Sequence, residues 1–311
     1  MLEFHRKMLA DRVRNEAFHE ALKRVIKPGE TVVADIGAGT GFLSFLAKKL
    51  GAKECHLYEM AGSLRAAKVL AKANKTEGLK FVHRHSTEVK NPPKADVVVS
   101  ETLGNFALEE HILETLNDAR VRFLKPGGVI IPGKLKEFAS PVVTDRFHHE
   151  IDTWKDVGFD LDLSLLRSMT FCNAYVRTFG ADDLLKGTGA VQSFDEIDFS
   201  VENDSCRTCS AQWKLEAAQA VYGCAVWWEA ELVPGVTLST SPFAPATHWE
   251  QIYLPIPEPL EAQAGDALLL SLISDSRLRP GLNVSWRLSL FREGKKVSSS
   301  PLLDMRSGQL D

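Results

Sequence analysis

The chain alternates two kinds of apolar pattern up to about residue 132 and keeps to one kind afterwards. Residues 5–26 place Met8, Val13, Phe18, Leu22 and Ile26 on one side at helical spacing, which predicts a single helix. An apolar run from Thr31 to Ile36 enters a glycine turn. A helix is then predicted from Phe42 to Leu50, with Gly51 suited to its C-terminal stop. Strands are predicted at Glu54–Glu59, Leu79–His83, Asp96–Glu101 and Val129–Ile131, with helices at 62–74 and 109–123 between them. The run Asp96-Val-Val-Val-Ser is continuously apolar at its centre, as a strand buried on both faces should be. Strands and helices alternating at this spacing predict right-handed crossovers and a mostly parallel sheet.

After Pro132 the pattern shortens to strand-like alternation, as in Cys224-Ala-Val-Trp-Trp-Glu and Asn283-Val-Ser-Trp-Arg-Leu. Turn signals at Val233-Pro-Gly and Arg279-Pro-Gly separate such runs, and all six tryptophans lie between 154 and 286. That predicts an antiparallel barrel or sandwich. Residues 145–171 interrupt it with a helical insert carrying Phe147, Trp154, Phe159, Leu165, Leu166 and Met169. It is too short to fold alone, so its apolar side must cover its own domain or a second copy. Two domains are expected, 1–132 and 133–311, in keeping with 311 residues at about 150 per domain.

The charge narrows the partners. Lys and Arg number 37 against 41 Asp and Glu, a formal net charge of −4. No direct nucleic-acid partner is expected from that balance. No run approaches the ~18 apolar residues of a membrane span, and the first residues resemble neither a secretory signal nor a transit peptide. Five cysteines, odd and sparse, point to a reducing, cytoplasmic setting. Cys206-Arg-Thr-Cys209 has no second cysteine pair or histidine cluster beside it, so no metal site is expected.

Three segments carry chemistry. The first is Asp35-Ile-Gly37-Ala-Gly39-Thr-Gly41, which follows the first strand and opens a helix. Glycines there allow close approach of backbone to a ligand. Phe42 stands where a dinucleotide fingerprint has its third glycine, which tilts the reading from a nicotinamide cofactor to S-adenosylmethionine (SAM). Glu59 ends the second strand about 20 residues on, where an acid can take ribose hydroxyls. The second segment is Ser100-Glu101-Thr-Leu-Gly-Asn-Phe-Ala-Leu-Glu109-Glu110. Glu101 falls just past a strand's C-terminal end and Glu110 at a helix start. Two carboxylates brought to one pocket repel unless a cation lies between them, and a planar guanidinium matches them bidentately. Against this, Glu109 and Glu110 suit the positive end of a helix dipole with no further role. The third segment is Thr247-His248-Trp249, where spacing alone favours Trp249 as core and His248 as a satisfied surface histidine.

Taken in order, these segments resemble the protein arginine methyltransferases over nearly the whole chain. The resemblance begins at His5-Arg-Lys-Met8-Leu-Ala-Asp11-Arg-Val-Arg14 and runs through Leu124-Lys-Pro-Gly-Gly-Val-Ile-Ile-Pro132 into the second domain. It implies a Rossmann-like α/β SAM-binding domain followed by an antiparallel β-barrel, with 145–171 as a helical dimerisation arm and the protein as a homodimer. It implies an enzyme that moves a methyl group from SAM to a guanidinium nitrogen of arginine in a protein or peptide, leaving S-adenosylhomocysteine. Glu101 and Glu110 match the glutamates that grip the guanidinium. Asp35, Gly37, Gly39 and Gly41 match the SAM loop, Glu59 its ribose ligand, and Arg14 the arginine that meets its carboxylate. His248 and Asp11 match a His–Asp pair, Met8 a methionine of the reaction pocket, and Trp249 a tryptophan beside the substrate arginine. Thr87 and Glu88 stand around the position of the family's acidic adenine contact. Asp11 and Arg14 are also i, i+3 neighbours that could simply pair with each other.

The match has departures. The family's Tyr-Phe-x-x-Tyr segment lies ahead of the matched helix, where only four residues precede His5. Either that segment is trimmed or this chain does without it. Thr102-Leu103 replaces the usual Trp-Met, and Ile112 a second pocket methionine. Two other readings stay open: a SAM enzyme acting on a small guanidine or amine, and a catalytically weak SAM-binding dimer.

Overall fold

The computed structural model describes residues 2–277 and 281–309. The turn signal at Arg279-Pro-Gly thus lies, but for Gly281, outside the described residues. Helix α1 (Leu2–Ala10) and helix α2 (Arg12–Val25) stand where the periodicity predicts one helix. Asp11 separates them. Its Oδ1 accepts from the Arg14 amide at 2.9 Å and caps the second helix. The apolar spacing continues across the joint, so pattern alone does not reveal the break.

The first half continues as β1 (Val32–Ile36), α3 (Phe42–Lys49), β2 (Glu54–Tyr58), α4 (Ser63–Ala73), β3 (Leu79–Val82), β4 (Ala95–Ser100), α5 (Ile112–Arg122) and β5 (Leu124–Ile131). The five strands pair in parallel in the order β3-β2-β1-β4-β5. Val33, Ala34, Val97, Val98 and Val99 are buried at its centre. The strand order reverses between β1 and β4. Just past their C-terminal ends lies the crevice in which open sheets of this kind bind ligands.

The second half comprises β6 (Lys134–Val142), α6 (Arg146–Ile151), α7 (Ser164–Phe171), β7 (Tyr175–Arg177), β8 (Gln192–Asp198), β9 (Cys206–Lys214), β10 (Gln219–Val233), β11 (Val236–Ser239), β12 (Gln251–Ala262), β13 (Ala267–Asp275), β14 (Asn283–Arg292), β15 (Lys295–Ser299) and β16 (Leu303–Asp304). They form two antiparallel sheets, β7-β12-β10-β6-β8 with β11 beside β10, and β15-β14-β13-β9 with β16 beside β14. The change from parallel to antiparallel pairing falls between Ile131 and Lys134. One apolar core runs through both halves and includes Val98, Leu113, Trp228 and Trp286.

The insert at 145–171 is helical only towards its ends. Gly158, Phe159 and Asp160 all have positive φ, and no helix can continue through three such residues. Phe147, Ile151 and Phe171 anchor the arm in a second apolar cluster, while Val157, Phe159, Leu161 and Leu165 are exposed. No helix among the described residues is long and apolar enough to cross a membrane.

Candidate active site

A cavity of about 420 Å³ opens beyond the ends of β1 and β4. One wall is the glycine turn. Gly37 (φ +71°) and Gly39 (φ +54°) border the cavity, and a Cβ on Gly39 would stand 2.9 Å from the His5 ring. Gly41 does not reach it. That residue precedes α3 at φ +82°, packed against Leu57, Phe45 and Ala67. Glu59 holds the turn in shape: its Oε2 accepts from the Gly39 amide at 2.8 Å and its Oε1 from the Ala61 amide at 2.6 Å. Each carboxylate oxygen keeps a lone pair for another donor. Asp35 is buried beneath the turn, its Oδ2 accepting from the Ser44 hydroxyl at 2.7 Å and amide at 3.1 Å. Burial pushes its carboxyl up to about 6 in spite of those bonds.

The opposite wall is the acidic loop. Ser100 ends β4 by donating to the Ile36 carbonyl at 2.9 Å. Glu101 follows and forms a buried ion pair with Arg14, whose Nε lies 2.8 Å from Oε2. Asp11 and Arg14 therefore do not pair through their side chains: Asp11 takes only the Arg14 backbone amide, and the guanidinium crosses to Glu101. The barrel domain holds the next residues. Trp249 Nε1 donates to the Leu103 carbonyl at 2.7 Å, and Trp228 Nε1 donates to the Gly104 carbonyl at 2.9 Å. The Glu250 amide donates to Asn105 Oδ1 at 2.9 Å. Glu109 turns back into the loop, accepting from the Asn105 amide at 3.0 Å, and a Cβ on Gly104 would strike its carboxyl. Of the two adjacent glutamates only Glu110 faces the cavity. The residue is exposed there, with its carboxyl partly shielded by the surrounding protein. Burial, and then Glu101, Glu109 and Glu59, push it up to about 7.

His248 and Asp11 do meet. Asp11 Oδ2 accepts from the His248 amide at 2.7 Å and from its Nδ1 at 2.9 Å. Burial works to raise the Asp11 carboxyl, but the bonds from Arg14 and His248 outweigh it and hold it below the ordinary range. Met8 and His248 line the cavity, together with Arg14. Trp249 does not. It is buried behind His248, ring centroids 3.9 Å apart, and acts on the acidic loop instead.

Thr87 and Glu88 also miss the cavity. A short 3-10 turn at Ser86–Glu88 points Thr87 outward, its hydroxyl 2.7 Å from His85 Nδ1, and turns Ser86 inward. Among the described residues, neither the buried Ser86 hydroxyl nor His5 Nδ1 has a partner. Ser86, Thr102 and His111 are cavity residues that sequence reasoning passed over. Ser86 is one position from Thr87, and His111 directly follows Glu110. Cys206 is exposed and Cys209 half-buried, and no group of metal-ligating side chains gathers among the described residues.

Comparison with known proteins follows the same division. A family model for the arginine methyltransferase oligomerization subdomain matches residues 136–287, and one for ribosomal protein L11 methyltransferase matches 18–155. Protein arginine N-methyltransferase 6 of Xenopus tropicalis is 32% identical over 300 residues, covering 90% of this chain and 88% of the relative. The chain belongs to the protein arginine methyltransferase family. A probable protein arginine N-methyltransferase 6.1 of Oryza sativa subsp. indica is 28% identical over 295 residues, 83% of this chain and 77% of its own length. Among solved structures, the Trypanosoma brucei PRMT1 enzyme–prozyme complex with AdoHcy superimposes at a TM-score of 0.88 with 23% identity, covering 98% of this chain and 99% of that one. Arabidopsis thaliana protein arginine methyltransferase 10 gives 0.82 at 21% identity, covering 98% of each. These likenesses show the arginine methyltransferase fold over both halves of the chain.

Proposed function

We propose that the protein methylates arginine side chains of proteins or peptides, with SAM as methyl donor. The observation that carries this is the acidic wall: Glu101 and Glu110 border one cavity, and the latter is costly to ionise until a cation joins it. The family relatives named above support the same substrate class.

The cavity fits SAM. The left-handed glycines give bare backbone along one side, Glu59 retains acceptor capacity for ribose hydroxyls, and Ser86 Oγ is a buried polar atom without a partner. Glu59 and the glycine turn would hold the sugar, Ser86 the adenine, and Arg14 the carboxylate. When bound, SAM supplies an electrophilic methyl group on a sulfonium. The chain's own residues do the rest. Glu101 and Glu110 pin the guanidinium and draw its positive charge towards the nitrogens they hold. The remaining terminal nitrogen keeps more of its lone pair and is aimed at the methyl donor. Fixed carboxylates stabilise the cation before and after transfer without reorganising. His248 keeps its hydrogen on Nδ1 when neutral, because Asp11 Oδ2 only accepts there, and the pair fixes the ring at the cavity wall.

The exposed arm tip at Val157, Phe159 and Leu161 and the match to an oligomerization subdomain support a homodimer formed through 145–171. Free thiols at all five cysteines support a reducing, cytoplasmic setting.

The decisive test is transfer of labelled methyl from SAM to a pool of arginine-rich peptides, with the product identified by mass. Methylarginine is expected, and its rate should fall about a thousandfold in Glu101→Gln and Glu110→Gln with cofactor affinity retained. Cofactor binding without any methylarginine would overturn the arginine reading.

A further inference from the structure

Besides His248, the histidines His5, His85 and His111 line the cavity. His111 directly follows Glu110 and lines the same cavity. Its backbone is left-handed (φ +57°), a conformation rare for residues with a Cβ, and here no glycine or asparagine relieves the cost. Such strain persists only where surrounding contacts over-determine it. The contacts are visible. His111 Nδ1 lies 2.7 Å from the Ser276 carbonyl, across the domain boundary. Ser276 is fully buried and fixed in turn, its hydroxyl donating to Glu114 at 2.9 Å and its amide to the Ser205 carbonyl at 2.9 Å. A carbonyl oxygen can only accept, so Nδ1 carries the hydrogen and the neutral ring presents a bare lone pair at Nε2. No hydrogen bond among the described residues engages that nitrogen.

We propose that His111 is a catalytic base of the methyl transfer, its Nε2 taking the proton that the substrate nitrogen must release. This rests on the arginine reading above. The substrate nitrogen donates its lone pair to the sulfonium methyl carbon. The nitrogen–carbon bond forms as the carbon–sulfur bond breaks, and the sulfur keeps the electron pair and becomes neutral. The methylated guanidinium would then carry a second positive charge, so one N–H breaks and its proton passes to His111. One cation remains on the methylguanidinium and one on the imidazolium. The charged groups around His111 are Glu110 and Glu114 on its own segment, Glu101 with Arg14 across the cavity, and Asp275 paired with Arg277 and Arg306 beside Ser276. His111 is anchored through Nδ1 and lines the cavity, with Nε2 outside any hydrogen bond among the described residues, the arrangement general-base catalysis needs.

The test separates base from prop. Asparagine at 111 tolerates the left-handed backbone and can donate to the Ser276 carbonyl as Nδ1 does, but has no basic nitrogen. His111→Asn should keep the thermal midpoint and the cofactor Kd, lower kcat about a hundredfold, and abolish its fall at acid pH. His111→Gly, which removes both ring and anchor, should regain about tenfold in rate with added imidazole. A His111→Asn enzyme with unchanged kcat and pH profile would overturn the proposal. So would a rate loss in both variants with no imidazole rescue and an unaltered acid limb, which marks a positioning role. Wild-type protein that binds SAM but makes no methylarginine removes the underlying arginine reading instead, before the variants are compared.

Discussion

The two walls of the cavity are built in different ways. The glycine wall is assembled from one stretch of chain: turn, strand end and supporting carboxylate all lie between Asp35 and Ala61, and every bond that shapes them is internal to the parallel-sheet half. The acidic wall is a loop with few bonds of its own, such as that from the Asn105 amide to Glu109, and it leans on the other half. Two indoles and a backbone amide from the antiparallel half, 124 to 146 residues away in sequence, fix Leu103, Gly104 and Asn105. Cofactor binding is thus a property of one domain, and arginine recognition a property of two. Arg14 reaches from the front helix to Glu101 while bordering the cavity.

That contrast can be broken at its joint. Arg14→Ala leaves Glu101 buried with no counter-charge, and should cost about 3–5 kcal/mol of stability, read as a fall in denaturant midpoint. It should also weaken both ends at once, raising cofactor Kd and peptide KM together. An effect on one end only would show that the walls are not coupled there.

The next largest effect separates the walls by pH. Glu110 must be ionised to hold a cation, and its carboxyl sits at about 7 in the free protein. Binding a guanidinium therefore releases a proton below that pH. Peptide KM should rise about tenfold per unit as pH falls under about 7, and stay level above it. Cofactor Kd should be flat across the upper part of this interval, since Asp35 takes up its proton lower, at about 6. Glu110→Gln should remove the slope in KM. A slope that survives the substitution would assign it to another group.

Trp249→Phe keeps the apolar bulk but deprives the Leu103 carbonyl of its donor. A cost of about 1–2 kcal/mol is expected, with peptide kcat/KM lowered about tenfold and cofactor Kd unchanged. Equal losses at both ends would contradict the division described above. The smallest test lies at the adenine end. Ser86→Ala should weaken SAM binding a few-fold, as expected for one neutral hydrogen bond, whereas Thr87→Ala and Glu88→Ala should leave it unaltered in calorimetry.

The same contrast explains what could be read from the sequence. The parallel strands, the glycine turn and Glu59 are local signals, and the structure places them in one wall. Glu101, Glu110, Asp11 and His248 were legible through the ordered set of motifs, and they too converge. What escaped depends on side-chain direction or on distant partners. Periodicity runs unbroken across Asp11, so the helix break shows only in the cap. Ser86 and Thr87 differ by one position on a tight turn, and only the backbone decides which points inward. Trp249 is expected beside the substrate, whereas its indole is spent on a carbonyl 146 residues away.

The hanging of Leu103 and Gly104 on two indoles bears on how such an enzyme can be altered. A SAM-binding half with this glycine turn could be joined to many partners and still hold its cofactor. The arginine clamp could not be moved with it by copying the segment from Glu101 to Glu110, because the shape of that segment resides in Trp228 and Trp249. Specificity for the methyl acceptor is in this sense inherited from the barrel, and a transplant that omits it would carry the letters of the loop without its form.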